Sequence, residues 1–151
     1  MVTVTITISK SEVFDEVAKT TAYIGAKKVE GTDTAYDRIF TTDSDKVMIS
    51  RFWDESTDVV TNLLQRFVSS VSCGESYSVS LSMSSRYDPN LTDSIKSSMY
   101  SFLVNSIVAK WCEITDKDNA KGYADNAAAL ILDVKEKVFH KKKPTRTNVN
   151  T

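Results

Sequence analysis

The residues that could carry catalytic chemistry are few and scattered along the chain. The single histidine, His140, adjoins three lysines, where a solvated residue at a helix end is expected rather than a general base. Paired acids such as Asp54-Glu55 and Asp116-Asp118 fall on polar helix faces or in turns, so solvation or capping explains them. The four isolated glycines cannot build a phosphate-cradling loop. We therefore expect no catalytic residue and no cofactor, and we expect that the protein is not an enzyme.

The two cysteines, Cys73 and Cys112, are predicted at the end of one helix and inside another. Free thiols in reducing surroundings are favoured, and a disulfide is the alternative. Two cysteines and one histidine cannot supply a standard four-ligand zinc site, so no metal is expected.

Positive charge is concentrated in a basic tail near the carboxyl terminus. Three lysines and Arg146 make up four of the 19 basic residues, which leaves residues 1–139 with 15 basic residues and all 20 acidic ones. The tail either complements the dipole of the helix that ends there, or acts as an arm that docks on a neighbouring protein or lies near nucleic acid. The docking interpretation gives these candidate residues for binding the partner: Phe139, His140, Lys141, Lys142, Lys143, Pro144 and Arg146.

Apolar residues at three- and four-residue steps predict the helices that carry this tail. A first helix begins at a capping box at Ser9 and ends at Gly25, and a second runs from about residue 44 to residue 73. Between them we expect a connection with a short strand or turn near residues 36–40. A helical hairpin then occupies residues 88–140, and its central turn is expected to be too polar to bury.

Two segments alternate apolar residues with Ser or Thr, which predicts half-buried strands at residues 2–8 and at about 76–84. The strands pair either within one chain or with strands of neighbouring subunits, and we favour a role in assembly. The candidates for inter-subunit strand contacts are Val2, Val4, Ile6, Ile8, Tyr77, Val79, Leu81 and Met83.

Length and composition indicate an ordinary folded protein. The chain has 151 residues, 41% of them hydrophobic, which is enough for one domain with a real core. No apolar run approaches the ~20 residues of a membrane-spanning helix, and no signal peptide is recognised. The predicted class is mainly α: a four-helix bundle with a small β element over residues 1–140, and an extended basic tail over residues 141–151.

The order of these elements resembles the head–tail connector (adaptor) proteins of tailed bacteriophages. The basic tail of residues 137–144 with Arg146, and the Ser- and Asp-rich helix starts, are similar to neck proteins of phages of gut Bacteroidales, including the crAss-like group. The resemblance implies a structural virion protein, assembled in the host cytoplasm. It implies a ring of about a dozen copies that docks on the portal, contacts other neck or tail proteins and extends the DNA channel. Residues 139–151 would then reach the portal.

Two other classes remain open at this stage. One is a nucleic-acid-associated accessory protein that holds DNA or RNA with its basic tail. The other is a small regulator or toxin-type enzyme, which would need a cleft that the sequence does not indicate. For the connector class that the resemblance implies, the acidic body suits a channel through which DNA slides, because like charge disfavours adhesion.

Overall fold

Helices pack against one face of a small antiparallel sheet. The computed structural model of the protein describes residues 1–27 and 34–144. The elements follow in the order β1 (Val2–Ser9), α1 (Lys10–Lys27), α2 (Thr34–Ile39), α3 (Lys46–Leu64), β2 (Val68–Cys73), β3 (Ser76–Met83), α4 (Thr92–Thr115) and α5 (Lys117–Phe139). The predicted mainly helical class with a small β element is confirmed, and the four long helices are compatible with the predicted bundle.

The sheet has the strand order β1-β3-β2, and both neighbours of β3 run antiparallel to it. The two strands predicted from alternation are both present and pair with each other, from Val2 opposite Met83 to Ser9 opposite Ser76. One face of the sheet carries only Ser and Thr side chains from β1 and β3. The other face lies on the helices and buries these residues in the common core: Ile6, Ile8, Tyr77, Val79, Leu81 and Met83.

This pairing corrects the expectation for the inter-subunit strand candidates. The expectation is wrong for the four candidates on β3, because β3 is the central strand and is paired on both sides. These four are Tyr77, Val79, Leu81 and Met83. For Val2, Val4, Ile6 and Ile8, which lie on the edge strand β1, the expectation stays a prediction.

The long second helix of the prediction is wrong beyond Leu64. The helix ends there, and residues 68–73 form β2, an edge strand joined to β3 by a tight hairpin at Gly74. Phe67 and Val71 continue the helical spacing of apolar residues, but the serines around them are weak helix formers. Pairing with β3 supplies backbone hydrogen bonds along one side of this segment and outweighs the spacing.

The helical hairpin that the sequence predicts is confirmed and consists of α4 and α5. Of these two helices, α4 lies at the centre of the protein. Asp88 accepts a hydrogen bond from the Asn90 amide at 3.0 Å, and Pro89 opens the short 3-10 turn that leads into α4. Consecutive positions 102–104 and 106–109 are all buried, since α1, α3, α5 and β1 surround α4. The core of the protein is therefore built around this helix.

The turn between α4 and α5 is shorter and more buried than predicted. Only Asp116 separates the two helices, and it is 4% exposed. Its backbone amide donates to the Cys112 carbonyl at 2.7 Å, and Asn119 donates to both its carbonyl and its carboxylate. The expectation that this turn is too polar to bury is wrong at Asp116, because these hydrogen bonds replace water.

The segment after α1 also differs from the prediction. Residues 34–39 form a helix, α2, instead of a strand or turn, and α1 continues past Gly25 to Lys27. A Cβ atom at Gly25 would lie 3.0 Å from the Tyr36 Cα atom. Gly25 therefore permits the close approach of α2 to α1 and does not end the helix.

Candidate partner interface at the basic end

The basic tail begins where α5 ends, and its first residues are fastened to the body. His140 has φ −66° and ψ 135°, so the chain leaves α5 in an extended conformation. Lys141 forms an antiparallel β-bridge with Tyr87. The Lys142 amide donates to the Arg86 carbonyl at 2.8 Å, and Arg86 Nη2 donates to the Lys142 carbonyl at 2.9 Å. These contacts fix the direction in which the tail leaves the molecule.

The same end of the molecule contains the ends of all three strands. β1 begins there, β3 ends there, and β2 begins there after Arg66 and Phe67. A shallow hollow of about 280 Å³ lies between these strand ends and the end of α5. None of the described residues that line it is acidic. They are Met1, Arg66, Phe67, Ser82, Met83, Ser84, Tyr87, Val138, Phe139, His140 and Lys141.

Two aromatic rings connect the tail to the sheet. The Phe67 and Phe139 ring centroids lie 5.1 Å apart with the planes at 76°, an edge-to-face contact. Phe139 nevertheless remains 44% exposed, and Phe67 is half-buried. Because the contact with Phe67 already orders the exposed Phe139 side chain, a partner that packs on it loses less binding energy to side-chain ordering.

Five cationic side chains therefore lie on or next to this hollow, and we call this group the basic end: Arg66, Arg86, Lys141, Lys142 and Lys143. All five are exposed. They also follow or flank the carboxyl end of α5, where the helix dipole favours positive charge. Exposed cations of this kind bind carboxylate or phosphate oxygens, and the attraction weakens as salt concentration rises.

The residues predicted to bind a partner make up only part of the basic end. Phe139 to Pro144 are exposed and contiguous, as the docking interpretation requires, whereas Arg146 lies outside the described residues. Sequence reasoning missed Arg66, Phe67 and Arg86. The first two fall inside the second helix of the prediction, which was too long. The hairpin glycine, Gly74, was the signal that could have placed residue 67 beside residue 82.

The opposite end of the sheet has a different character. A cleft of about 690 Å³ lies between the starts of α1 and α3, next to the β2–β3 hairpin. Its rim mixes both signs of charge, with Lys10 and Lys46 alongside Asp15, Asp43 and Glu75. Lys46 is already paired with Asp43 at 3.3 Å. This cleft therefore lacks the single-sign character of the basic end.

No group of three or more His, Cys, Asp or Glu side chains in residues 1–27 and 34–144 is placed to hold a metal ion. Cys73 is exposed and Cys112 is buried, and neither forms a disulfide bond. Nor does any helix within these residues have the length and apolar character needed to cross a membrane.

The basic end is thus an exposed surface of positive charge, built from the tail, the residues before β2 and the segment before α4. Comparison of the chain with protein-family models, with curated proteins and with solved structures finds no match in any of the three.

Proposed function

We propose that this protein is a structural virion protein, a head–tail connector adaptor that docks on a portal and extends the DNA channel towards the tail. The observation that carries the proposal is the basic end, where five exposed cations and a half-open Phe139 ring share one surface. Such a surface suits a protein partner that presents carboxylates around an apolar contact.

The distribution of charge supports the same role. Residues 1–139 hold 15 basic and 20 acidic residues, so the body is acidic while the tail is basic. An acidic body disfavours adhesion of DNA that must move past it, whereas the basic end attracts an acidic docking surface. In this proposal the protein forms a ring of about a dozen copies in the virion neck, assembled in the host cytoplasm, without a cofactor or a membrane.

The structure also indicates how the tail would be presented. The hydrogen bonds between Arg86 and Lys142 hold the start of the tail against the body. Lys143 and Pro144, which follow, are exposed and outside any helix or strand. The body thus sets the position of Lys141 and Lys142, and the proposed docking uses these residues.

The test is a charge reversal at the basic end, with purified portal rings of the same virus as the probe. The triple variant Lys141→Glu, Lys142→Glu and Lys143→Glu should fold normally and should no longer co-sediment with portal rings. A matched control reverses three other exposed lysines, Lys19, Lys121 and Lys135, and should bind as the unmodified chain does. Equal binding by both triple variants would refute docking through the basic end.

A second candidate function is a nucleic-acid-associated accessory protein. The hollow at the basic end favours it, because Arg66 and Lys141 line it together with the exposed side chain of Phe139, a combination that contacts phosphates and bases. Fluorescence anisotropy with a short duplex and a single-stranded oligonucleotide at physiological salt would test this function. Micromolar binding that the Lys141–Lys143 reversal abolishes, without any binding to portal rings, would favour the accessory role.

A further inference from the structure

The two outer strands of the sheet each have one open edge. β3 is central, and in the described part of the chain no strand lies beside the outer edge of β1 or of β2. The three strands contain no charged residue and no proline. Natural sheets usually protect an open edge with lysine, proline or an inward-pointing charge, and here only a bulge between Val68 and Ser70 interrupts one edge.

The hydrogen-bond phase shows which backbone groups point outward. The Lys10 amide donates to the Glu75 carbonyl at 3.1 Å, so the even-numbered residues of β1 bond to β3. Thr3, Thr5 and Thr7 therefore direct their amides and carbonyls towards the open edge. The alternation of hydrogen-bonded and outward-facing residues along the strand alone determines which backbone groups of β1 face the open edge.

The same reasoning applies to β2. The Ser82 amide donates to the Phe67 carbonyl at 2.7 Å, and the Gly74 amide donates to the Ser76 carbonyl at 3.2 Å. The serines of β2 opposite Ser78 and Ser80 thus bond to β3. Val71 and Cys73 direct their backbone groups outward.

The apolar layer beneath the sheet is incomplete at both edges. Val71 on β2 is 46% exposed and Val2 on β1 is 39% exposed, although both lie on the face that packs on the helices. A strand added to either edge would cover one of these valines and continue the row of apolar side chains. Among residues 1–27 and 34–144, each edge thus lacks a neighbouring strand and full apolar cover.

The directions of β1 and β2 indicate which partner could pair with both open edges. β1 and β2 are each antiparallel to β3, so they run parallel to one another. A small rotation about the axis of a closed ring keeps strand direction nearly unchanged between neighbouring copies. The β1 edge of one copy then meets the β2 edge of the next in parallel, and a single repeated contact uses every open edge.

We propose that copies of this chain assemble through a parallel seam between β1 of one copy and β2 of the next. The proposal rests on the ring of the proposed function and names the contact that builds it. Parallel pairs are slightly less stable per residue than antiparallel pairs, and β2 has only six residues. The seam is therefore weak for free chains and becomes effective when copies are concentrated, as on a docking platform.

Proline substitutions at outward-pointing positions test the seam. Thr5→Pro and Val71→Pro each remove an amide that faces solvent in the single chain, where an edge strand tolerates proline. The matched controls Thr5→Val and Val71→Thr keep the amide. Circular dichroism and thermal unfolding establish that all four variants fold. Sedimentation velocity at high protein concentration then measures the size of the assemblies.

We expect the unmodified chain and both controls to form species larger than a monomer, and each proline variant alone to be monomeric. A mixture of the two proline variants should stop at a one-to-one dimer, because Thr5→Pro retains the β2 edge and Val71→Pro retains the β1 edge. A strictly monomeric unmodified chain, or proline variants that assemble normally, would overturn the seam. Loss of assembly in only one of the two proline variants would also overturn it, since that result indicates pairing between like edges.

These outcomes are separate from those of the portal experiment. The variant with reversed charge at Lys141–Lys143 has an intact sheet, so failure to dock with normal self-assembly affects only the proposed function. Thr5→Pro has an intact basic end. If it docks on the portal and also self-assembles normally, only the seam is refuted.

Discussion

The buried serine pair between α3 and α4 allows a quantitative test of how the helices are held in register. Ser56 is 0% exposed and Ser106 is 9% exposed, and their hydroxyl oxygens lie 2.8 Å apart. We predict that Ser56→Ala or Ser106→Ala alone destabilises the protein, and that the double substitution costs less than the sum of the two.

The magnitude follows from what each single change leaves behind. Removing one hydroxyl leaves the other buried without its partner, at a cost of about 1–3 kcal/mol. A serine in a helix can instead donate to the carbonyl four residues earlier, which places the expected loss near the lower end of that range, about 1 kcal/mol. The double variant replaces both polar groups and leaves no orphan. The coupling between the two sites should therefore be about 1 kcal/mol.

Urea unfolding of the four proteins in the cycle measures these free energies, and an unchanged dependence on urea would confirm that only stability has changed. For a chain of this size, a loss of 1 kcal/mol lowers the melting temperature by about 2–4 °C. Ser97→Ala, at an exposed position of α4, serves as a control and should change stability by less than about 0.5 kcal/mol. Strictly additive losses would refute the reasoning, because independent sites cannot be a mutually satisfied pair.

Two glycine substitutions and one acid substitution give further tests. Gly25→Ala should destabilise the protein by about 1–3 kcal/mol, because its Cβ atom would lie 3.0 Å from the Tyr36 backbone. Gly122→Ala should stabilise α5 by about 0.5–1 kcal/mol, because nothing lies within 4 Å of the added Cβ atom. Thermal melts should therefore show a lower melting temperature for Gly25→Ala and a higher one for Gly122→Ala. Hydrogen bonds from Lys137 and then Ser98 lower the pKa of the Asp133 carboxyl below its ordinary value of 3.8, so its stabilising effect is present above that value and is lost as pH falls through the lowered pKa. Asp133→Asn should therefore flatten the acid limb of the stability–pH curve, and an unchanged limb would contradict the assignment.

The parts of the fold that were correctly predicted are those with a local physical cause. The alternation of β-branched residues with threonines requires one buried and one exposed face, and β1 has both. Asp88 and Pro89 begin the approach to α4 because a cap and a missing amide act within one turn. The apolar stripes of α4 and α5 likewise required a partner surface, which each helix supplies to the other.

The errors arose where distant contacts outweighed local spacing. Residues 65–73 contain apolar positions that fit a helix, yet residues 68–73 pair with β3 as an antiparallel strand. Gly25 fits a helix end equally well, but its close contact with Tyr36 explains its presence inside α1. Spacing alone cannot distinguish these cases, because the deciding partner is many residues away.

The candidate site shows the same division. The sequence alone determined that a cluster of cations follows the last helix, since four basic residues stand within six positions. Only the tertiary structure brought Arg66, Phe67 and Arg86 beside that cluster and left the β1 and β2 edges open. Charge and alternation are properties of neighbouring residues and can be counted along the chain. Which surfaces remain exposed depends on how strands and helices pack and form hydrogen bonds with one another in three dimensions.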